Sequence, residues 1–479
     1  MIKSHVLYRL SYGLFDQFST RSENVTALGG GRRQRVGRGV RGGSGTVNRW
    51  PQPEAANQGG PTTLSNFSWS AYVLVSALSP IWRTCEEPMP IINRVADLHD
   101  EIKGWRHDLH AHPELLYDVH RTAATVTEKL KSFGCDEVVT GIGRTGVVGV
   151  IRGHKSKAGA TNKIIGLRAD MDALPIEEAT GVPYKSTIPG KMHACGHDGH
   201  TSMLLGAARY LAETRNFAGT AIVIFQPAEE GGGGGRAMVQ DGLMERFGIQ
   251  EVYGMHNYPG IPVGEFAIRP GPMMAAADRL TIEIEGKGGH AARPHISVDT
   301  VLVGAQIINQ IQSIVSRNVD PLESAVISIC MFQAGTAENV IPQTALLRGT
   351  ARSLNPEIRD VLESRLHEVV EGTARLHGAK AKLTYRRDYP VTRNHDQETA
   401  FAASIASEVV GRNHVETNVA PVMGAEDFSF MLEARPGAFI FVGNGDSAGL
   451  HHPAYDFNDD VIPIGTSYWV KLVETALPG

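Results

Sequence analysis

From about residue 163 onward, short apolar segments alternate with segments of helical periodicity, and this alternation predicts an open α/β sheet. The elements predicted in this part of the chain are strands over residues 163–167, 220–225 and 251–255 and a helix over residues 198–211. Polar side chains follow the three strands in turn: Asp170 and Asp172, Glu229 and Glu230, and His256. Because the working residues of open α/β sheets gather beyond the carboxyl ends of the strands, we expect these side chains to meet at one edge of the sheet.

Residues 278–389 have a different pattern, which predicts a second domain inserted into the first. The order of elements is strand, helix, strand, strand, helix, strand, which is that of a ferredoxin-like (βαββαβ) sandwich. The predicted strands are 280–285, 325–332, 344–352 and 382–387, and the predicted helices are 298–317 and 356–377. Asn355 is suited to cap the second helix, and Gly378 is suited to end it. The open mixed-sheet domain is therefore expected to comprise residues 89–277 and 390–479.

Residues 1–88 differ from the rest, since they are rich in glycine and arginine and lack a hydrophobic period. They carry 10 basic and 5 acidic side chains. One interpretation is an arginine–glycine arm that binds RNA. The other is disorder without a role, or translation of sequence upstream of the true start. Met89 opens a helical pattern, so we expect residues 1–88 to be disordered or a non-native extension of a protein that starts at Met89.

The charge and cysteine content of the chain restricts its location and its partners. Beyond residue 88 there are 36 basic and 46 acidic side chains, so this part offers no basic field for nucleic acid. The four cysteines are widely scattered and make a poor disulfide framework, which favours a reducing cytoplasm. The longest apolar stretch near the start, at about residues 69–82, is too short to span a bilayer. We therefore expect a cytoplasmic protein without membrane or nucleic-acid partners.

Side chains that bind divalent metals follow several of the predicted strands. Cys195 and His197 stand two residues apart in a loop before a helix, whose amino end favours the thiolate form of Cys195. Taken alone, they are equally consistent with a buried cysteine and a capping histidine, but Glu230 and His256 at neighbouring strand ends favour a metal site. With His451, the set suits Zn²⁺ and is compatible with Mn²⁺, Co²⁺ or Ni²⁺. Five protein ligands exceed what one tetrahedral ion takes, so we infer two divalent metal ions that share a bridging group.

Glu229 is a second carboxylate directly beside the candidate ligand Glu230. One acid to hold a metal and an adjacent acid to move a proton is the combination that metal-assisted hydrolysis requires. The alternative for Glu229 is a solvated surface acid. Residues 231–235, the glycine loop, follow directly and let the backbone turn sharply beside the ions, although a merely flexible loop would have the same composition. The paired acids indicate a metal-dependent hydrolase.

Two further motifs suggest other sites and are interpreted here as structural. Residues 141–146 fit a dinucleotide-binding fingerprint, but that motif must open a helix. Here a strand follows, so we predict a hairpin turn. His107, His110 and His112 suggest another metal site, and we predict that they build and orient a helix end instead.

Six segments, in order along the chain, carry a resemblance to a known family. They are WRHDLHAHPE (105–114), RADMDALPI (168–176), HACGH (193–197), QPAEE (226–230), GMHN (254–257) and LHHP (450–453). Together they resemble the aminoacylase/carboxypeptidase family of co-catalytic metallohydrolases, in the branch of hippurate hydrolase and the N-acyl-amino-acid and auxin-conjugate amidohydrolases. The resemblance runs from about Pro90 to the C-terminus, and residues 1–88 lie outside it.

The resemblance implies a set of metal ligands and a base. The implied ligands are Cys195, His197, Glu230, His256 and His451, with Glu229 as the general base. The last ligand of the family is the histidine two places before a proline, which selects His451 over the adjacent His452.

Further roles are implied for residues outside the ligand set. Asp172 matches the acid that orients a ligand imidazole. His290 matches a lid histidine that helps to stabilise the reacting oxygen. Asn339 and Arg352 match positions that line the pocket for the substrate carboxylate. A turn histidine, a strand-end asparagine and a surface arginine are the alternatives for the last three.

The reaction that the resemblance implies is hydrolysis of the amide bond of an N-acyl amino acid to a carboxylic acid and a free amino acid. The inserted domain would serve as a lid and a dimerisation domain in a homodimer or homotetramer. A dipeptidase or aminopeptidase of the same superfamily is the nearest alternative, and the small apolar residues 272–277 slightly favour an acyl group over a charged amine. A catalytically inactive metal-stabilised binding protein is disfavoured by the complete ligand set. An RNA-associated protein would depend on residues 1–88.

Overall fold

The computed structural model describes residues 91–154 and 162–479, so the predictions for residues 1–88 lie outside the part of the chain that it covers. Within these ranges, strands and helices alternate as the sequence predicted. The strands are β1 (Glu137–Ile142), β2 (Gly146–Arg152), β3 (Ile164–Asp170), β4 (Thr220–Gln226), β5 (Glu251–Tyr258), β6 (Phe266–Ala267), β7 (Gly271–Met274), β8 (Ala276–Glu285), β9 (Gly289–His290), β10 (Ala325–Ala334), β11 (Val340–Ile341), β12 (Thr344–Ser353), β13 (Lys380–Tyr389), β14 (Thr392–Asn394), β15 (Val415–Glu416) and β16 (Gly437–Gly443). The α-helices are α1 (Asn93–Asp97), α2 (His99–Ala111), α3 (His120–Ser132), α4 (His197–Thr214), α5 (Gly234–Gln240), α6 (Leu243–Arg246), α7 (Thr300–Arg317), α8 (Pro356–Leu376), α9 (Asp396–Val410), α10 (Ser429–Ala434) and α11 (Val461–Ala476).

The first sheet has eight strands in the order β1-β2-β4-β3-β5-β16-β6-β15. The central strands β4, β3, β5 and β16 are parallel, whereas β1, β2 and β6 join them in antiparallel pairs. Separate apolar clusters pack on its two faces, one with α4, α9 and α11 and the other with α5, α6 and α10. Because both faces are covered, the central strands are buried along nearly their whole length. The predicted mixed α/β fold is confirmed.

Strand β3 extends beyond its predicted end at residue 167. Ala169 pairs with Phe225 and Asp170 pairs with Gln226 in the parallel ladder with β4. The extension brings polar side chains into the sheet at its carboxyl edge, where β4 also ends. This edge is where the candidate site residues converge.

The second sheet has the antiparallel order β10-β12-β8-β13 and packs its apolar face against α7 and α8. Its strands and helices follow one another in the βαββαβ order that the sequence predicted. Strand β8 alternates buried and exposed residues, as expected for a sheet with one covered face. The Asn355 side chain accepts the N–H of Glu357 at 2.8 Å and caps α8, and Gly378 follows this helix with a φ of 73°.

Residues 141–146 and the histidines near the end of α2 make the structural contacts described below. Strands β1 and β2 pair as an antiparallel hairpin, which confirms the turn at residues 141–146. At the end of α2, the ring of His112 donates from Nδ1 to the carbonyl oxygen of Asp108 at 2.8 Å. His110 is buried, with Nδ1 2.9 Å from Asp198 Oδ2 and Nε2 3.3 Å from Glu178 Oε1.

The described residues also give the state of three cysteines and the apolar character of the helices. Cys135, Cys195 and Cys330 are free thiols. Among the helices of residues 91–154 and 162–479, none combines the length and the apolar character needed to cross a bilayer.

Candidate active site

A cavity of about 600 Å³ lies at the carboxyl edge of the first sheet, and residues of the second sheet also line it. It brings together Cys195, Glu229, Glu230, His256 and His451. They come from four places in the fold: the loop before α4, the segment after β4, which carries both acids, strand β5 and the segment after β16. The structure thus gathers side chains that are far apart in the sequence.

The candidate ligand atoms form two overlapping groups. Cys195, His197 and His256 have ligand atoms within 4.8 Å of one another, and so do Cys195, Glu230 and His451. The Sγ atom of Cys195 lies 3.4 Å from Nε2 of His256. Oε1 of Glu230 lies 3.2 Å from Nε2 of His451. Two groups that share one thiol are what two cations with a common ligand would need.

The two histidines of the first group are held in the orientation that ligand imidazoles require. His197 donates from Nδ1 to the carbonyl oxygen of Asp172 at 2.7 Å, and His256 donates from Nδ1 to that of Asn257 at 2.6 Å. Nε2 of His197 is buried and has no hydrogen-bond partner among the described residues. Metal-bound histidines commonly use one ring nitrogen for such a donation and present the other to the ion. The arrangement and the mixed donor set fit divalent cations.

Unusual backbone conformations position the ligands. Gly196 has a φ of 91°, and a Cβ atom there would lie 2.3 Å from Oδ1 of Asn257, so only glycine fits between the first two ligands. His451 has a φ of 64°, which is rare for a residue with a side chain. Such strain persists where the surrounding structure enforces it, often at functional sites. Both His451 and the adjacent His452 are exposed, but only His451 is among the described residues that line the cavity, so His451 is the better candidate.

Carboxylates dominate the electrostatics around the thiol. Burial, followed by the charges of Glu230 and Glu229, raises the pKa of Cys195 well above its usual value. The amino end of α4 was expected to favour the thiolate, but in the protein groups alone burial and the surrounding negative charge favour the thiol. A bound divalent cation would reverse this balance, since the thiolate is the form that binds metals.

Glu229 and Glu230 differ in their environments although they are adjacent. Burial, followed by the charges of Glu426 and Glu230, raises the pKa of Glu229 well above its usual value. Burial acts in the same direction on Glu230, but the contact with His451 and the charge of His197 lower its pKa. Two carboxyl groups with pKa values pushed apart suit a division in which one holds charge and the other carries a proton.

Asp172 supports the segment that carries the two acids. Its carboxylate accepts the N–H groups of Glu229 at 2.9 Å and Glu230 at 3.2 Å. Its Oδ1 lies 3.7 Å from Nδ1 of His197, whereas its carbonyl oxygen lies 2.7 Å from the same nitrogen. The main-chain carbonyl of Asp172 therefore holds the imidazole of His197, and the carboxylate of Asp172 holds the main chain of Glu229 and Glu230.

Behind the cavity lie a buried guanidinium and three carboxylates. The sequence patterns gave these four side chains no role. Arg168 pairs with Asp170 at 2.7 Å, with Glu426 at 2.8 Å and with Asp427 at 3.0 Å. Asp170 Oδ1 in turn accepts Nδ1 of His200 at 2.6 Å. The sequence does carry a signal for these residues. Arg168 and Asp170 are charged residues in an otherwise apolar strand, and Glu426 and Asp427 are adjacent acids in an irregular segment.

The three residues expected to contact substrate are divided between two places. Arg352 lines the cavity. His290 lies in β9, which pairs with β11 through Val340, and Asn339 directly precedes that strand. Both side chains are exposed, and neither is among the described residues that line the cavity.

Comparisons with known proteins confirm the resemblance inferred from the motifs. Residues 166–475 match Peptidase family M20/M25/M40. Hippurate hydrolase of Campylobacter jejuni is 44% identical over 384 residues, which cover 80% of this chain and 98% of that protein. An N-acetylcysteine deacetylase of Bacillus subtilis is 37% identical over 380 residues, which cover 79% and 97%. The crystal structure of a dinuclear metal-binding peptidase of the M20 family from Bacillus subtilis is 32% identical, with a TM-score of 0.69 over 80% of this chain and 99% of that one. The chain therefore belongs to peptidase family M20/M25/M40 and is an amide-bond hydrolase.

Proposed function

We propose that this enzyme hydrolyses N-acyl amino acids to a carboxylic acid and a free amino acid. The observation that carries the proposal is one cavity that holds a buried acid, Glu229, beside the candidate metal ligands and the guanidinium of Arg352. The activities of the relatives, on hippurate and on N-acetylcysteine, support an acyl group on the substrate nitrogen.

Two divalent ions, Zn²⁺, Mn²⁺, Co²⁺ or Ni²⁺, would be held by the candidate ligands. These are Cys195, His197, Glu230, His256 and His451. When bound, such ions acidify water and polarise the amide carbonyl. The mixture of thiol, imidazole and carboxylate donors, in two overlapping groups, supports this assignment.

Glu229 is assigned as the general base and then the general acid. Its side chain lines the cavity, and the residue is 7% exposed, which restricts exchange of its proton with solvent. It accepts a proton as the oxygen of water adds to the carbonyl carbon, and it delivers that proton to the nitrogen as the carbon–nitrogen bond breaks. Asp172, which accepts the main-chain N–H of Glu229, orients this acid.

Arg352 is assigned to the substrate carboxylate. Its guanidinium donates to the hydroxyl of Thr350 at 2.5 Å and to the carbonyl of Ala351 at 3.2 Å, which fixes the direction of the side chain. A planar guanidinium is well suited to bind a carboxylate with two parallel hydrogen bonds.

Residues 278–389 are proposed to form a lid and dimerisation domain, with residues 89–277 and 390–479 as the two parts of the catalytic domain. His290 and Asn339 lie outside the cavity, so they would reach the substrate when the lid closes or from a partner subunit. Strand β10 is an edge strand on which Met331 and Phe332 are 41% and 39% exposed. Exposed edge strands pair readily with other chains, which supports a homodimer or homotetramer. The free cysteines support a cytoplasmic location.

A panel of substrates tests the proposal. Chelated protein is reloaded with Zn²⁺, Mn²⁺, Co²⁺ or Ni²⁺ and assayed with hippurate, N-acetyl amino acids and dipeptides. Turnover of the N-acyl amino acids is expected. Faster turnover of dipeptides would instead favour the dipeptidase, and tight metal binding without any hydrolysis would favour the binding protein.

The variant Glu229→Gln tests the base. Its kcat should fall by about 10²- to 10⁴-fold with metal content unchanged, since general acid–base catalysis contributes about that much. Glu433→Gln, which changes a glutamate outside the cavity, is the control and should keep wild-type kcat. Near-full activity of metal-loaded Glu229→Gln would contradict the role.

A further inference from the structure

A tyrosine at the end of the second sheet is bonded to the segment that carries the two acids. Tyr389 is the last residue of β13 and is 6% exposed. Its hydroxyl donates to the carbonyl oxygen of Glu229 at 2.6 Å and accepts the N–H of Gly233 at 3.0 Å. One oxygen atom therefore bridges the acid and the middle of the glycine loop.

The bridged turn has a backbone that its own sequence would not fix. Ala228 has a φ of 55°, and Gly231 and Gly233 have φ values of 84° and 70°. Within the turn, the N–H of Gly231 donates to the carbonyl of Glu229 at 2.6 Å and that of Gly234 to the carbonyl of Ala228 at 3.1 Å. A non-glycine residue in the left-handed region is held there by surrounding structure. Bonds from outside the turn thus contribute to the direction in which Glu229 points.

Those outside bonds come from loops of the open mixed-sheet domain and from the second sheet. Tyr117 donates to a carbonyl of the glycine loop at 2.9 Å, and Asp427 accepts an amide of the loop at 2.8 Å. From the second sheet, Arg279 donates to another loop carbonyl at 3.3 Å, and Tyr389 adds its two bonds. Of these side chains, Tyr389 is the one that contacts the main chain of Glu229 itself.

We propose that Tyr389 is a positioning residue, through which the second sheet fixes the orientation of the Glu229 carboxylate. The proposal rests on the proposed function of Glu229 as the base. Tyr389 lines the cavity, but both hydrogen bonds of its hydroxyl go to the main chain, so the hydroxyl acts through Glu229 and not on the reacting atoms. Because β13 is the last strand of the second sheet along the chain, the same hydroxyl ties the geometry of the base to the placement of that sheet.

Tyr389→Phe removes the hydroxyl and keeps the ring, which packs edge-on against Phe430 at 6.1 Å between centroids. We expect kcat to fall about 10- to 100-fold, since a displacement of about 1 Å costs on the order of 10²-fold. KM and metal content should stay within about twofold of wild type, because the ring that lines the cavity is kept and the hydroxyl that is removed bonds only to the main chain. Tyr253→Phe is the matched control: it removes the hydroxyl of another buried tyrosine, bonded to Glu251 at 2.9 Å, and should leave kcat unchanged.

Replacement of Tyr389 by 4-aminophenylalanine restores a donor toward the carbonyl of Glu229 and should recover part of the lost kcat. A residue that only stabilised the junction of the sheets would not give a loss confined to kcat with such recovery. A kcat for Tyr389→Phe within about twofold of wild type, or a rise in KM at unchanged kcat, would overturn the proposal.

Amide hydrogen exchange provides a readout that does not depend on the reaction. In the wild-type protein, peptides covering residues 229–235 should exchange slowly, and in Tyr389→Phe they should exchange faster while the rest of the chain is unchanged. Unprotected exchange in the wild type, or equal exchange in the two proteins, would show that the bridge does not hold the turn. If the wild type hydrolyses no N-acyl amino acid, the proposed function fails, while the exchange result still decides whether Tyr389 fixes the segment.

Discussion

Replacing Arg168 by methionine should destabilise the protein strongly, because three buried carboxylates would lose their guanidinium. The Arg168 side chain is 1% exposed, and those of Asp170, Glu426 and Asp427 are 0%, 2% and 0% exposed. Methionine fills part of the volume of arginine without its charge. The variant therefore isolates the electrostatic role of the side chain more cleanly than alanine would.

The expected size of the effect follows from burial. Removing one partner of a buried ion pair costs about 3–5 kcal/mol, because the other charge stays buried without compensation. The three pairs share one cation, so their costs do not add. We expect the free energy of unfolding to fall by about 3–5 kcal/mol and Tm to fall by about 5–10 °C. Arg94→Met is the control: its pair with Glu213 is 3.1 Å long and 43% and 35% exposed, so it should cost less than about 1 kcal/mol.

The pH dependence of the Arg168→Met defect distinguishes this explanation from a loss of packing. Burial raises the pKa values of Glu426 and Asp427, and the charge of Arg168 opposes that rise. In Arg168→Met both pKa values should therefore increase. A carboxyl group whose pKa is raised by folding is most favourable below its unfolded pKa of about 4 and loses stability as the pH rises through its folded pKa. Urea unfolding followed by tryptophan fluorescence should show a small defect near pH 5 and a large one near pH 8. A loss below about 1 kcal/mol at pH 8, or the same loss at both pH values, would refute the reasoning.

Three further predictions concern the metal ions, the ligand loop and a buried histidine. Removing metal with a chelator should abolish activity, and reloading should restore it in proportion to the metal bound, as measured by elemental analysis. Gly196→Ala should abolish metal binding, because its Cβ would lie 2.3 Å from Oδ1 of Asn257. Gly190→Ala is the control: Gly190 has a φ of 73° and open space around it, so the variant should lose only about 1–2 kcal/mol in the free energy of unfolding and keep the metal. Burial lowers the pKa of His110, but Asp198 outweighs burial and raises it to about 9. The stability from the protonated ring should be fully present below about pH 6.5 and be lost as the pH rises through about 9, and Tm of His110→Gln should lack this dependence.

The fold was predictable where local pattern and tertiary structure agree. Strand β4 begins at residue 220, as predicted, because its run of apolar residues is buried on both faces. Helix α8 begins at the capping asparagine that the sequence indicates, Asn355, and in the structure Asp299 caps α7 in the same way. Long periodic segments with end signals were therefore located to within a few residues.

The prediction was incomplete where pairing between distant segments decides the structure. The apolar segment that predicts β3 ends at residue 167, yet the strand continues to Asp170, and Glu426 pairs with Arg168 from 258 residues away. No local sequence pattern indicates that Arg168 has a partner so far along the chain. The two-residue strands β6, β9, β11 and β15 are too short to show a period. The sequence pattern places Tyr389 at the end of the inserted domain. It does not indicate the contact with Glu229, because that hydrogen bond joins residues 160 positions apart.

The charge around the cavity links the metal ions to the stability of the fold. Six carboxylates lie at or behind the cavity, all of them largely buried: Asp170, Asp172, Glu229, Glu230, Glu426 and Asp427. Arg168 pairs with three of them. Burial lowers the pKa of His197, but Asp170 and Asp172 raise it to about 10, so in the absence of cations a proton on this ring offsets part of the negative charge. Divalent ions would take over that role more completely, and a ligand that binds the folded state alone adds to its stability. The ions are therefore expected to hold together the carboxyl edge of the first sheet as well as to serve the reaction, and Tm of the chelated protein should be lower than that of the loaded protein even in Glu229→Gln, where hydrolysis is lost.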